Sequence, residues 1–95
     1  MNSSKLNISD LREQIDAVDE KLIKLLAERQ RLVEAVIVVK KRDGVAARVP
    51  ARVDYVIDRA RVLARAHHLD PALAETIWTE MVEWFVAHEE HKLDT

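Results

Sequence analysis

Apolar side chains recur along the first half of the chain at alternating steps of four and three residues. The series consists of Leu11, Ile15, Val18, Leu22, Leu25, Arg29, Leu32, Val36 and Val39. An α-helix returns to the same face after about 3.6 residues, so this spacing predicts one long helix with an apolar stripe. Such a stripe is buried against other helices, and the arginine within it requires an anionic partner if it is buried too.

The spacing and its flanking residues give the expected bounds of this helix. It begins near Ser9 or Asp10, after a flexible leader at residues 1–8, and it ends in the basic turn 40–42, just before Gly44. Cations in the last turn and a glycine beyond it are typical of helix C-termini. The helix is then roughly 32 residues and about 48 Å long.

Two shorter helices are expected in the second half of the chain. Residues 43–50 form a linker, a second helix covers about 51–66, and a third runs from Pro71 to about Lys92. The chain is therefore expected to be a single all-α domain over residues 1–95 with three helices.

Two residue pairs have the spacing of helix N-terminal caps. Asp10 is followed three residues later by Glu13, as in a capping box. Asp70 stands directly before Pro71, which is the usual order of an N-cap and a first helical residue.

Composition supports the all-helical class and limits the possible functions. Only 4% of the residues are aromatic, against 48% hydrophobic, and there is one glycine. Cysteine is absent, which excludes disulfides and thiolate metal sites. The net charge of −2 argues against nucleic-acid binding, and no apolar run reaches the ~20 residues of a membrane span. We therefore expect a cytoplasmic protein that binds neither nucleic acid nor membrane.

The length of the first helix predicts an oligomer. The second and third helices are too short to cover an apolar stripe about 48 Å long. A second copy of the chain would cover the remainder, so we expect an intertwined homodimer with two-fold symmetry.

Several charged residues fall on or near the apolar faces. Arg29 and Lys40 are eleven residues apart, which puts them within about 20° of each other on the first helix. Arg12 points elsewhere and could join them only from an antiparallel partner, whereas Arg52 begins the second helix and Glu89 lies on the inward stripe of the third. Together they predict a pocket for a small ligand with two carboxylates; the plain alternative is that they are solvated surface charges.

The histidines give little support for a metal site. His88 and His91 are three residues apart and could share a helix face. Zinc requires three or four converging ligands, so exposed helix-end histidines are the simpler interpretation. We expect no metal and no cofactor.

Four segments resemble the all-helical chorismate mutase family, over roughly residues 10–92. They read LREQIDAVDEKLIKLLAERQRLVEAV, VKK, ARVPARV and ARAHHLDP. The resemblance implies an intertwined dimer of three-helix chains, in which both protomers contribute to each of two active sites. This implied assembly agrees with the dimer expected from the apolar stripe.

The resemblance also implies a role for each charged residue. Arg12 would reach into the partner's site and bind one substrate carboxylate, and Arg29 would bind the other. Lys40 would hydrogen-bond the ether oxygen at which charge develops, and Arg52 would close over the substrate. Glu89 falls where many members have a glutamine that touches the same oxygen.

The chain departs from ordinary mutases along the apolar part of the implied pocket, to which we assign Val36. Val53 replaces a glutamate that holds the ring hydroxyl of the substrate, and Val49 lies where an acidic residue is common. Phe85 replaces a small hydroxyl residue. The VPARV segment and the Trp84–Phe85 pair resemble the isochorismate pyruvate lyase branch instead.

The favoured interpretation is therefore an isochorismate pyruvate lyase, which converts isochorismate into salicylate and pyruvate. The alternative within the family is a chorismate mutase, which converts chorismate into prephenate, and an amino-substituted chorismate is a further possible substrate. Both reactions are pericyclic, so neither requires a nucleophile or a general base. From another class, the chain could be a noncatalytic helical dimer that binds a metabolite or a partner protein.

Overall fold

The computed structural model describes residues 6–94, and within them it contains three α-helices and no β-strand. α1 runs from Ile8–Asp43, α2 from Pro50–Ala66 and α3 from Pro71–Leu93. The all-α expectation is confirmed. Residues 1–5 of the expected leader lie outside the described residues, and the linker between α1 and α2 is 44–49 rather than 43–50.

The N-terminal cap of α1 differs from the expected one. Asn7 Oδ1 accepts a hydrogen bond from the Asp10 backbone N–H at 2.9 Å, and Asn7 Nδ2 donates to Asp10 Oδ2 at 2.8 Å. Asp10 is thus the third helical residue of a cap that begins at Asn7. The expected pairing of Asp10 with Glu13 was wrong because asparagine is an equally good N-cap and stands three residues earlier.

α1 and α2 end in the same way, with a residue in the left-handed region and a backbone bond spanning five residues. At the end of α1, Gly44 has φ 70° and the Val45 N–H donates to Lys40 O at 2.9 Å. At the end of α2, His68 has φ 59° and the Leu69 N–H donates to Ala64 O at 2.8 Å. Gly44 takes this conformation without steric cost, as expected of a terminating glycine.

The start of α3 is also the expected one. Asp70 Oδ1 accepts a hydrogen bond from the Ala72 N–H at 2.9 Å, and Pro71 occupies the first helical position. This cap fixes where the chain turns from α2 into α3.

The chain divides into two units within α1, and each unit is described by itself. The second unit, Ala35–Thr95, contains the packed α2–α3 pair. Its buried apolar residues are mostly small, and among residues 6–94 they are Ile37, Ala47, Ala60, Ala64, Ala74, Val82 and Val86. Alanines on both helices let the two backbones approach closely.

The first unit, Met1–Glu34, carries most of the apolar stripe that the spacing predicted. Its aliphatic stripe residues are each between 40% and 63% exposed, and they are Leu11, Ile15, Val18, Leu22, Leu25 and Leu32. A single chain therefore leaves this stripe largely uncovered. No helix in the described part of the chain has the length and apolarity needed to cross a bilayer.

Candidate active site

Lys40 lies in the last turn of α1 and makes two polar contacts within the second unit. Its Nζ donates a hydrogen bond to the backbone oxygen of Ala47 at 2.8 Å, and it lies 2.9 Å from Glu89 Oε1. The two charged side chains are nearly buried, with 16% of Lys40 and 10% of Glu89 exposed. The structure thus brings together two of the residues that the sequence proposed as site residues.

Glu89 is placed in this position by the buried face of α3. Val82, Val86 and Glu89 follow each other at steps of four and three residues, and all three are buried. The carboxylate therefore continues an apolar stripe, which is an unfavourable place for a charge without a partner. Lys40 supplies the compensating positive charge.

The ion pair leaves one hydrogen-bonding position of the carboxylate unfilled. Among residues 6–94, no donor is found with hydrogen-bond geometry to the buried Glu89 Oε1, so the approach of Lys40 is a charge contact at unfavourable angles. Buried polar atoms without a hydrogen bond are rare and are frequent at functional sites. This corner of the second unit can therefore take a further polar group.

The linker that carries Ala47 is attached to α3 by a second ion pair. Arg48 Nη1 donates to Glu83 Oε1 at 3.0 Å and Arg48 Nη2 donates to Glu83 Oε2 at 2.6 Å, a bidentate arrangement. The hydrogen bonds from Arg48 lower the pKa of Glu83 below its usual value, and those to Glu83 raise the pKa of Arg48. Sequence reasoning missed both residues because they are 35 positions apart and neither lies on an apolar stripe.

Arg52 lies in the first turn of α2 and is exposed. Its guanidinium carbon is 5.2 Å from the centre of the Tyr55 ring, which is within the range of a cation–π contact. Val53, next to it, is half-buried, and so is Val49 at the N-terminus of the helix. The start of α2 therefore presents an exposed cation beside apolar side chains.

Phe85 is half-buried on α3 and belongs to a small aromatic cluster. The Trp84 ring packs edge-on against Phe85 with 5.0 Å between centroids, and His88 stacks on Trp84 at 5.2 Å. Trp84 itself is exposed. The aromatic pair that the sequence singled out thus forms an apolar surface one turn before Glu89.

The remaining predicted site residues lie on α1. Val36 is exposed in the second unit, whereas Arg12 is exposed and Arg29 is half-buried in the first. Their convergence on Lys40 stays a prediction. In the part of the chain that the structure describes, no group of three or more histidine, aspartate or glutamate side chains is arranged to hold a metal ion.

Comparison with known proteins adds a family match over most of the chain. The family model described as "Chorismate mutase type II" matches residues 11–90. A chorismate mutase of Methanocaldococcus jannaschii is 33% identical over 76 residues, covering 80% of this chain and 77% of that protein. A T-protein of Enterobacter agglomerans is 40% identical over 70 residues, which are 74% of this chain but only 19% of that protein.

Proposed function

Because the chain is an enzyme of the type II chorismate mutase family, we propose that it converts chorismate into prephenate. The observation that carries this proposal is the nearly buried Lys40 ammonium, held by a backbone oxygen beside Glu89 in a chain that matches the family over residues 11–90. This choice differs from the lyase favoured by the sequence, because the relatives support the mutase.

The reaction requires geometry and charge stabilisation rather than acid–base chemistry. One C–O bond of the substrate's ether breaks while a C–C bond forms, and negative charge grows on the ether oxygen. A positioned cation at such an oxygen typically contributes about 3–4 kcal/mol to transition-state stabilisation. Lys40 is suited to this role because its ammonium has three donors and only one is used by Ala47 O.

The arginines are proposed to bind the two carboxylates of the dianionic substrate. Arg29 would bind one, Arg12 of the other protomer would bind the second, and Arg52 would close over the substrate by leaving the Tyr55 ring. Planar guanidinium groups suit this task since they bind carboxylates through two parallel hydrogen bonds. Holding a flexible side chain over the ring in this way lowers the entropic part of the barrier.

Glu89 is proposed to act beside Lys40 at the ether oxygen. Its unfilled Oε1 position would hold a proton or accept a substrate donor, and the apolar wall would come from Val36, Val49, Val53 and Phe85. An ionised carboxylate repels a developing oxyanion, so the protonated form is the useful one. We expect Glu89→Gln to make the rate less dependent on pH.

The dimer is proposed from the uncovered stripe of the first unit. Aliphatic side chains that are 40% to 63% exposed along one helix face are covered most simply by a second copy of the same chain. A soluble dimer with shared sites also provides the second source of cations that the substrate requires. A cytoplasmic location would give such an enzyme access to its substrate.

One observation favours isochorismate pyruvate lyase as a second candidate. The half-buried Val53 carries no group that could hold the ring hydroxyl of chorismate, and the Trp84–Phe85 surface is unlike the small hydroxyl residue usual in mutases. The same cation at the ether oxygen would assist C–O cleavage of isochorismate into salicylate and pyruvate.

The test is to incubate the purified protein separately with chorismate and isochorismate and to identify the products by chromatography. Prephenate supports the mutase, and salicylate with pyruvate supports the lyase. Absence of turnover on both substrates would contradict the two candidates together.

Lys40→Ala and Lys41→Ala form a matched pair for this assay. Lys41 is the exposed neighbour of Lys40 in the same helical turn. We expect Lys40→Ala to lower kcat by about 100- to 1,000-fold, as for loss of one oxyanion donor, and Lys41→Ala to leave it unchanged.

A further inference from the structure

The linker 44–49 is held to the rest of the second unit through two neighbouring residues. Ala47 O accepts the hydrogen bond from Lys40, and Arg48 makes the bidentate ion pair with Glu83. We propose that Arg48 and Glu83 are positioning residues that keep Ala47 O against Lys40 and so fix the ammonium for catalysis. This inference rests on the proposed function of Lys40 and assigns these two residues a role in it.

The physical argument begins with the acceptor that Lys40 uses. Ala47 O belongs to a linker and takes no part in a helical hydrogen-bond ladder, so its position depends on what anchors the linker. The end of the linker near Gly44 is anchored by the bond from the Val45 N–H to Lys40 O. Beyond Ala47, the anchor is the side chain of the next residue, Arg48.

The geometry of that anchor restricts orientation as well as distance. Two parallel N–H···O bonds, at 3.0 Å and 2.6 Å, fix the plane of the Arg48 guanidinium relative to the Glu83 carboxylate. Because Arg48 is bonded directly to Ala47 in the chain, this restriction reaches the carbonyl that Lys40 requires.

α3 carries both acidic partners of this arrangement. Glu83 holds the linker and Glu89 holds the ammonium, and the two are six residues apart on one helix. If the linker moves away, Lys40 loses Ala47 O and keeps Glu89. Its charge is then drawn toward the carboxylate and is less available to a substrate oxygen.

A second exposed ion pair in the same unit provides the control. Arg61 on α2 contacts Glu75 on α3 at 2.6 Å and also contacts Asp58. It joins two helices that are already packed together and touches neither the linker nor Lys40 among the contacts described. Both pairs are exposed Arg–Glu contacts to α3, so they should contribute similarly small amounts to stability.

The test compares steady-state kinetics of Arg48→Ala and Arg61→Ala in the full-length protein. We expect Arg48→Ala to lower kcat about threefold to fivefold, the effect available from an exposed ion pair. KM should stay within about twofold, since Lys40 acts on charge that develops in the transition state. Arg61→Ala should change neither constant. An unchanged kcat in Arg48→Ala, or an equal loss in Arg61→Ala, would overturn the proposal.

Charge reversal separates positioning from a general loss of fold. The double variant R48E/E83R restores an ion pair of opposite polarity between the linker and α3. We expect it to recover kcat to within about twofold of the original protein, whereas R48E alone should be as impaired as Arg48→Ala or more so. Lack of any recovery in the double variant would argue against the ion pair.

A measurement without substrate keeps this inference distinct from the proposed function. Backbone ¹⁵N relaxation should give lower order parameters for residues 45–49 in Arg48→Ala but not in Arg61→Ala. The ¹⁵N signal of the Lys40 ammonium should shift in the same variant only. If these signals change although neither substrate is turned over, the proposed function fails and the positioning role stands; if they do not change, the positioning role fails whatever the activity.

Discussion

At the scale of single residues, the feature with the largest consequence is the Lys40–Glu89 pair. Each side chain is buried enough that removing its partner leaves a charge in an apolar surrounding. Breaking a buried pair is costly for this reason, even where the intact pair adds little net stability. The two residues should therefore be coupled in stability as well as in catalysis.

We predict that Lys40→Met and Glu89→Gln each lower the free energy of unfolding by about 1–3 kcal/mol. The double variant should lose less than the sum, because neither charge is left without a partner. Urea unfolding at a fixed protein concentration measures this cycle. The double variant should stay as inactive as Lys40→Met, since neither replacement restores a cation.

Lys41→Met is the control for this cycle, because it removes an exposed charge from the same turn. Its stability and activity should match those of the original chain. If the costs of Lys40→Met and Glu89→Gln simply added, the two side chains would not interact energetically, and the ion pair would be irrelevant to folding.

Residue-level prediction from the sequence succeeded where periodicity carried the information. Glu89 was assigned to the inward stripe of α3 from its spacing, and it is buried there. The Arg48–Glu83 pair could not be predicted, because a linker has no repeating face and the partners are 35 residues apart. The meeting of Lys40 with Ala47 O was hidden for the same reason.

At the scale of the helices, local signals set the ends more reliably than the apolar pattern did. Gly44 and the Asp70–Pro71 pair act within a few residues of chain, and both were identified correctly. The cap of α1 was misplaced because two capping patterns overlap near Asp10. The expected linker 43–50 was one residue too long at each end for the same kind of reason.

The Arg61–Glu75 contact between α2 and α3 predicts a pH dependence of stability. Hydrogen bonds from Arg61, together with its charge, lower the pKa of Glu75 in the folded chain. A carboxyl group with a lowered folded pKa stabilises the fold above its unfolded pKa and loses that contribution as pH falls through the folded pKa. We therefore expect Glu75→Gln to be less stable than the original chain near neutral pH and equally stable in strong acid.

Thermal unfolding of both proteins between about pH 7 and about pH 2 measures this difference. The gap at neutral pH should narrow when salt is added, because the pair is exposed and is screened. A gap that is independent of both pH and salt would show that Glu75 acts through packing instead.

At the scale of the whole molecule, the exposed stripe of the first unit is the main evidence for assembly. It comprises the longest apolar surface that the sequence predicted, and it is uncovered in a single chain. The sequence could predict this stripe because it repeats with the helical period. It could not place Arg12 and Arg29 relative to Lys40, since that depends on contacts between chains that no local pattern encodes.

Mixing two inactive variants tests whether the sites are shared. Arg12→Ala and Lys40→Ala should each be nearly inactive alone. If Arg12 serves the partner's site, every mixed dimer has one intact site and one doubly altered site. After unfolding and refolding together in equal amounts, we expect about a quarter of the original activity, because half of the dimers are mixed and each has one of two sites.

Refolding each variant separately before mixing is the control, and it should give no recovery if exchange is slow. Sedimentation equilibrium establishes the dimer independently. A dimer that regains no activity on joint refolding would place Arg12 in the site of its own chain, and a monomer would contradict the shared site altogether.

The hydrogen bond from Lys40 to a main-chain oxygen has an evolutionary consequence. No single substitution can delete a carbonyl oxygen, so the identities of neighbouring linker residues are free to drift as long as the backbone path is kept. Inserting or deleting one residue within 44–49 would instead carry the oxygen away from the ammonium. Relatives that use their lysine in this way should therefore share the length of this segment more strictly than its composition.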